Sequence, residues 1–209
     1  MIVVVVALAG MAQAQGVMSN VSIGVGLQGV FAGSTYTKST LNLGEYPTTQ
    51  STTNSVGALV DARYDFGRHS ALGLAFTLNR NTEYFSNSYG TTYKVQTNNG
   101  EVIGTYIFRL PSNERVKPYA AFGGGLIRFN PNNNNNTGTN PSSSTKMAFA
   151  YGFGTDLKFN DKWAIRLAYR GLVRTSPNFK VSTSDPTETF GTNLKTHVAE
   201  PSIQLVYHF

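Results

Sequence analysis

The chain has 209 residues, a length that suits one domain. Charged residues make up only 13%, about half the usual share, while Gly reaches 21, Tyr 11 and Phe 13, a balance that argues against a helical enzyme and suits short strands joined by polar loops. Cys is absent, which excludes disulfides, Cys-ligated zinc, iron–sulfur clusters and a thiol nucleophile. The net charge of +6 is spread without a basic run or helical stripe, so it points to anionic lipid head groups and away from nucleic acid.

Residues 1–14 differ from the rest. Ile2 to Ala9 is an uninterrupted apolar run, followed by the small-x-small pattern Ala12-Gln13-Ala14. This is the h-region and cleavage site expected of a secretory signal peptide. It is too short for a transmembrane helix, which needs about 20 apolar residues. The expected division is a signal peptide over 1–14 and one exported domain over 15–209.

Period-2 alternation, the mark of a strand with two unlike faces, recurs eight times. The first segment runs from Val21 to Phe31, with Val21, Ile23, Val25, Leu27 and Phe31 opposite Ser22, Gly24, Gly26 and Gln28. The second, Ser55 to Phe66, sets Val56, Ala58, Val60, Ala62, Tyr64 and Phe66 against Asp61, Arg63 and Asp65. The third, Ala71 to Arg80, sets Leu72, Leu74, Phe76 and Leu78 against Gly73, Ala75, Thr77 and Asn79. In the fourth, Asn99 to Leu110, Val102, Tyr106, Phe108 and Leu110 oppose Glu101, Thr105 and Arg109.

The fifth, Lys117 to Phe129, resists phasing: Tyr119, Ile127 and Phe129 oppose Phe122, Leu126 and Arg128, and Gly123-Gly124-Gly125 suggests a bulge. The sixth, Lys146 to Phe159, sets Met147, Phe149, Tyr151, Phe153, Leu157 and Phe159 against Ala148, Gly152, Gly154, Asp156 and Lys158. The seventh, Trp163 to Arg174, sets Trp163, Ile165, Leu167, Tyr169 and Val173 against Arg166, Arg170 and Arg174. The eighth, Thr196 to Phe209, sets Ile203, Leu205, Tyr207 and Phe209 against Glu200, Ser202 and Gln204.

The connections alternate in length. Those after the second, fourth and sixth segments are tight, at Gly67 to Ser70, Pro111 to Val116 and Asn160 to Lys162. The others are long. Long structureless loops are rare in compact soluble domains, but an even-stranded barrel in an outer membrane has short periplasmic turns and long extracellular loops. The polar faces are rich in Gly and Ala, as a crowded barrel interior requires. Aromatics gather near segment ends, as girdles do at the membrane interfaces. The expected fold is therefore all-β: an eight-stranded antiparallel up-and-down transmembrane β-barrel.

The C-terminal segment Ile203-Gln204-Leu205-Val206-Tyr207-His208-Phe209, with Lys117-Pro118-Tyr119 through Gly125 and Trp163 to Arg170, resembles the small outer-membrane barrels of the OmpA/OmpX type. The resemblance covers Val21 to Phe209. It implies a bacterial outer-membrane location, surrounding outer-membrane lipid, and recognition by the barrel assembly machinery through Ile203, Leu205, Tyr207 and Phe209. It says little about function.

An eight-stranded barrel is about filled by its own side chains. The inward set holds both charge signs, and Asp61, Arg63, Glu101, Asp156, Arg166, Arg170 and Glu200 form the expected ionic network. A tight turn centred on Asp161 places Asp156 opposite Arg166, and the last segment returning beside the seventh places Glu200 near Arg170. No cofactor, metal or catalytic set is expected; among the three His only His197 lies near the outer leaflet, on the lipid-facing phase. The long loops, Ala32 to Asn54, Asn81 to Asn98, the Asn-rich third and Thr175 to Lys195, are the expected interaction surface. Tyr36, Tyr46, Tyr84, Tyr89 and Tyr93 are its contact residues, since tyrosine offers large contact area at low entropic cost. The expected role is structural or surface-interacting, in adhesion or envelope integrity. The alternatives are a narrow channel through the polar lumen and, less so, a lipid-modifying enzyme.

Overall fold

The structure, a computed structural model, describes residues 20–41, 44–87, 92–112, 115–132, 135, 140–179 and 194–209. The expected signal segment lies outside the described residues. The strands are β1 (Val21–Ala32), β2 (Thr35–Leu41), β3 (Gly44–Thr52), β4 (Ser55–Asp65), β5 (Ser70–Asn87), β6 (Thr92–Arg109), β7 (Val116–Pro131), β8 (Ser144–Lys158), β9 (Trp163–Thr175) and β10 (Lys195–His208). All pairings are antiparallel, in the order β2-β3-β5-β4-β1-β10-β9-β8-β7-β6, and β6 closes back onto β5. The closed ring is the eight-stranded barrel β1, β4, β5, β6, β7, β8, β9 and β10. No helix occurs among the described residues.

The two further strands continue ring strands. β1 breaks at Gly33, whose N–H still reaches the His197 carbonyl (3.2 Å), and resumes as β2. β3 breaks at Thr53, whose N–H reaches the Thr82 carbonyl (2.9 Å), and resumes as β4. β2 and β3 pair with each other, and Thr48–Thr52 of β3 pair with Glu83–Asn87 of β5. The long first and second loops expected from the sequence are therefore largely β-sheet. Their Thr- and Tyr-rich composition, which reads as loop, is equally the composition of a solvated strand.

Register fixes the barrel's shape. Stepping from Phe31 to Ala199, Gly171, Tyr151, Phe122, Tyr106, Leu72 and Tyr64 through successive ladders returns to β1 at Val21, ten residues from the start. Eight strands with that stagger tilt by about 40° and enclose a barrel of radius about 8 Å. The ladders flanking β7 run without a slip, so the glycine bulge expected at Gly123 to Gly125 is absent. The glycines serve close approach instead. A Cβ on Gly123 or Gly125 would stand 2.0 or 1.9 Å from the carbonyl oxygens of Gly104 or Val102.

Polarity is inverted relative to a soluble barrel. Outward Met147 and Phe153 are 79% and 63% exposed, while inward Asp156 and Arg166 are 1% and 0% exposed. A charge on the lipid face at mid-bilayer costs about 2–4 kcal/mol, which is why these groups lie inside. The outward apolar belt begins at Trp163, Tyr207 and Phe209, whose rings form successive edge-on pairs with centroids 5.0 Å apart. On β5 it ends at Leu78, with Arg80 next on the same face; on β7 it ends at Leu126, with Arg128 next.

Candidate functional site

The lumen is organised along the inner face of β9. Alternation puts Arg166, Arg170 and Arg174 on that face at four-residue steps, about 13 Å apart along the strand. Each meets carboxylates from other strands.

The lowest tier surrounds Arg166. Its Nε and Nη2 donate to the two oxygens of Asp156 (2.7 and 2.9 Å), a bidentate pair set up by the direct register of these residues. Its Nη1 crosses the lumen to both oxygens of Asp61 (2.9 and 2.8 Å). Arg63 donates to Asp61 (3.0 Å) and to the Tyr119 hydroxyl (2.7 Å). β1 passes close to this tier at Gly24, where a Cβ would stand 2.3 Å from Asp61 Oδ1.

The second tier surrounds Arg170. Its Nε donates to Glu200 (2.6 Å), its register partner. Its Nη2 donates to Glu101 (2.8 Å) and Gln28 (3.1 Å). Asn79 donates to the other Glu101 oxygen (3.0 Å). Glu101 thus accepts from a charged and a neutral donor together, while Glu200 accepts through one oxygen from Arg170 and buries the other without a partner among the described residues. A cavity of about 70 Å³ lies between the two tiers, walled by Gly73, Ala75, Ala121, Gly152 and Ala168 and bounded by Arg63 and Arg170. That is room for a few waters.

Above the second tier the lumen turns apolar. Val30, Ile103, Ile127, Phe129, Leu172 and Val198 form a buried cluster with Phe85, Val95 and Phe179. Phe179 lies in the expected fourth loop, but the chain after β9 turns inward. Its ring meets Phe85 and Phe129 edge-on, at 6.1 and 6.4 Å between centroids. Pro177 accepts from Gln50 (3.2 Å), and the Ser176 and Thr196 hydroxyls bond (2.6 Å). The third tier sits here: Arg174 approaches Glu83 at 3.7 Å and lies over the Phe129 ring, while Glu83 accepts from Thr52 (2.7 Å) and Gln50 (3.3 Å). This part of β5 stands above the bilayer, and burial pushes the Glu83 carboxyl up, against the pull of Arg174. The described lumen is thus crossed by two ion-paired layers, above which an apolar cluster stands beside the buried polar groups Asn81, Thr97 and Asn99 and the Arg174–Glu83 pair.

The expected network residues Asp61, Arg63, Asp156 and Arg166 share one tier, and Glu101, Arg170 and Glu200 share the next. Missed from the sequence were Glu83, Gln50 and Phe179, which lie in segments that read as loops. At the C-terminus, Ile203 and Leu205 face outward, and Tyr207 and Phe209 join the periplasmic aromatic girdle. Tyr36 is 54% exposed on β2. Tyr84 and Tyr93 lie on strands where the sequence reads as loop, and Tyr93 packs partly buried against the apolar cluster. The Tyr46 side chain and Tyr89 lie outside the described residues. His197 faces outward and bonds the Tyr151 hydroxyl (2.7 Å).

The family model of the outer membrane protein beta-barrel domain matches residues 1–209. The chain belongs to this family. It resides in the bacterial outer membrane, and barrels of this kind turn their short connections to the periplasm and their long ones, here β2–β3, to the cell surface. The outer membrane protein OprG of Pseudomonas aeruginosa has a similar structure at 14% identity and TM-score 0.60, with 90% of this chain and 95% of that one covered. Neisserial surface protein A is similar at 15% identity and TM-score 0.58, with 91% and 98% covered. Ail, the attachment invasion locus protein of Yersinia pestis in complex with the heparin analogue sucrose octasulfate, is similar at 17% identity and TM-score 0.52, with 90% and 97% covered. These likenesses establish the shared fold. No curated relative matches the sequence.

Proposed function

We propose that this barrel presents a rigid extracellular sheet to surface partners and does not conduct, serving adhesion or envelope integrity. The observation that carries the reading is the sheet β2-β3-β5-β6, which continues the barrel wall beyond the apolar belt. A rigid sheet loses little entropy on binding. β2 is its outer strand in the strand order, and an edge strand can pair with an extended partner segment. Exposed Tyr36 on that edge supplies apolar contact. The attachment role in the name of Ail agrees with this reading.

The tiers at Arg166 and Arg170, which cross the lumen, and the apolar cluster around Phe179 count against the conduction alternative. We assign no catalytic role. The Tyr151 hydroxyl holds His197, and no carboxylate orients that ring among the described residues, so a base–nucleophile relay lacks its third member. The proposed partners are outer-membrane lipid around the belt, the barrel assembly machinery at Ile203, Leu205, Tyr207 and Phe209, and a surface ligand on the sheet.

Two measurements test the reading. The purified barrel, with insertion verified, is expected to leave a planar bilayer silent; discrete salt-dependent current steps would replace this reading with the channel. Cells displaying the barrel are expected to lose attachment to immobilised matrix glycoproteins when residues 35–52 are replaced by a two-residue turn. Attachment that survives the deletion would refute the sheet as the contact surface.

A further inference from the structure

The strand carboxylates with described side chains, Asp61, Asp65, Glu83, Glu101, Asp156 and Glu200, all face the lumen. The outer wall at the top of the belt is different. Arg80 and Arg128 are exposed there, one step above Leu78 on β5 and Leu126 on β7. Between them stand Asn98 of β6 and Asn130 of β7, also exposed. Arg80 pairs in register with Asn98, and Asn98 with Asn130, so these three form one outward row across three strands, with Arg128 one step below Asn130 on the same face of β7.

The hydrogen bonds in this row are one-sided. Arg80 Nε donates to Asn98 Oδ1 (2.8 Å), and Arg128 Nε donates to Asn130 Oδ1 (3.0 Å). Each amide oxygen is thereby turned to a guanidinium, and each amide NH₂ is turned away. The terminal nitrogens of both guanidiniums have no carboxylate partner among the described residues. What faces outward is a donor-only surface: two guanidinium forks and two amide groups. Such a surface is complementary to a multiply charged oxyanion, and the fork geometry suits phosphate. Its height selects the source, because it begins where the apolar belt stops, at the head groups of the outer leaflet. The two Arg Cα positions are about 12 Å apart by strand spacing, so their side chains can converge on one phosphate or each hold one.

We propose that Arg80, Asn98, Asn130 and Arg128 form a binding site for the phosphates of outer-leaflet lipopolysaccharide, on the barrel wall where β5, β6 and β7 leave the apolar belt. The site anchors that wall to the lipid and is separate from the sheet proposed for surface partners.

The test uses the full barrel refolded in neutral detergent, with native mass spectrometry counting bound lipid A. Fold is checked by the shift between heated and unheated protein on a gel. Arg80→Gln with Arg128→Gln is expected to weaken lipid A binding about tenfold, and dephosphorylated lipid A is expected to bind the unaltered barrel as weakly. Should that pair fail to fold, Arg80→Lys with Arg128→Lys keeps the charge, loses the fork, and is expected to weaken binding several-fold. Lys195→Gln, an exposed cation on β10, is expected to leave binding unchanged. Equal loss in Lys195→Gln would reduce the effect to general surface charge and overturn the site. Undiminished binding in the folded double variants would also overturn it. Inorganic pyrophosphate binding the unaltered barrel as tightly as lipid A would assign the row to free phosphate and overturn the lipid source.

Discussion

Replacing Arg166 by Met is expected to destabilise the barrel more than neutralising any other charged side chain of its lumen. Arg166 is fully buried, and its guanidinium is shared between Asp156 on the neighbouring strand and Asp61 across the lumen. Removing it leaves Asp156 buried without a cationic partner, a loss of about 3–5 kcal/mol. Asp61 keeps Arg63 at 3.0 Å, which holds the loss inside that range. Taking about 4 kcal/mol, the folded-to-unfolded ratio falls roughly a thousandfold. With a urea slope of about 2 kcal/mol per molar, the midpoint falls by about 2 M. The assay is urea unfolding in lipid vesicles, followed by fluorescence of Trp163, the single tryptophan. Arg166→Met combined with Asp156→Leu removes the stranded charge together with its partner and should recover much of the loss, because swapping a whole buried pair for apolar groups is often neutral. A loss under about 1 kcal/mol with unchanged slope would refute the reasoning, as would a double variant that merely adds the two single losses.

Phe179→Ala should cost about 3 kcal/mol or more, since it empties the contact with Phe85 and Phe129, and should speed amide exchange at Ser142, which donates to the residue 179 carbonyl, and at Ser176 ahead of β9. Burial raises the Glu83 carboxyl above its ordinary value, so its protonated form favours the fold. That contribution is fully present below the unfolded value and is lost as pH rises through the raised folded value. The β3–β5 pairing should therefore show stronger exchange protection in acid. Glu83→Gln should flatten this dependence, and a dependence unchanged in the variant would remove Glu83 as its source. Gly125→Val should block barrel formation, because its Cβ would lie 1.9 Å from the Val102 carbonyl oxygen. Heat-modifiable mobility on a gel reads this directly.

The barrel was legible because one inversion of polarity repeats along the ring strands other than β7. Asp156 and Arg166 could be paired from sequence because the turn at Asn160 to Lys162 is too short to allow another register. Glu200 and Arg170 followed from the closing strand. The bond from Arg166 to Asp61 was not legible, because the two are 105 residues apart and meet only through closure. β7 resisted phasing for a physical reason: Ile127 and Phe129 belong to the apolar upper lumen while Phe122 and Leu126 face lipid, so both faces are apolar. The strands above the bilayer were missed because their outer face meets water while their inner face mixes Phe85 and Val95 with Gln50, Asn81 and Thr97, so hydrophobic alternation fades. Phe179 was hidden by the same effect, one aromatic in a polar segment.

The placement that fills the lumen also decides the character of the outer wall. A cation can leave the bilayer at its rim by extending a long side chain into the head groups, whereas the short carboxylate side chains are better served by luminal partners. With Arg166 and Arg170 drawing Asp61, Asp156, Glu101 and Glu200 inward, the wall keeps cations without compensating acids among the described residues. The donor-only row from Arg80 to Arg128 is therefore a consequence of the same economy of charge that closes the lumen. Moving one carboxylate outward tests that link: Gly100→Asp, set beside Arg128 in the β6–β7 register, should leave the luminal tiers intact and still abolish lipid A binding. A barrel that binds lipid A equally with this carboxylate in place would separate the two properties.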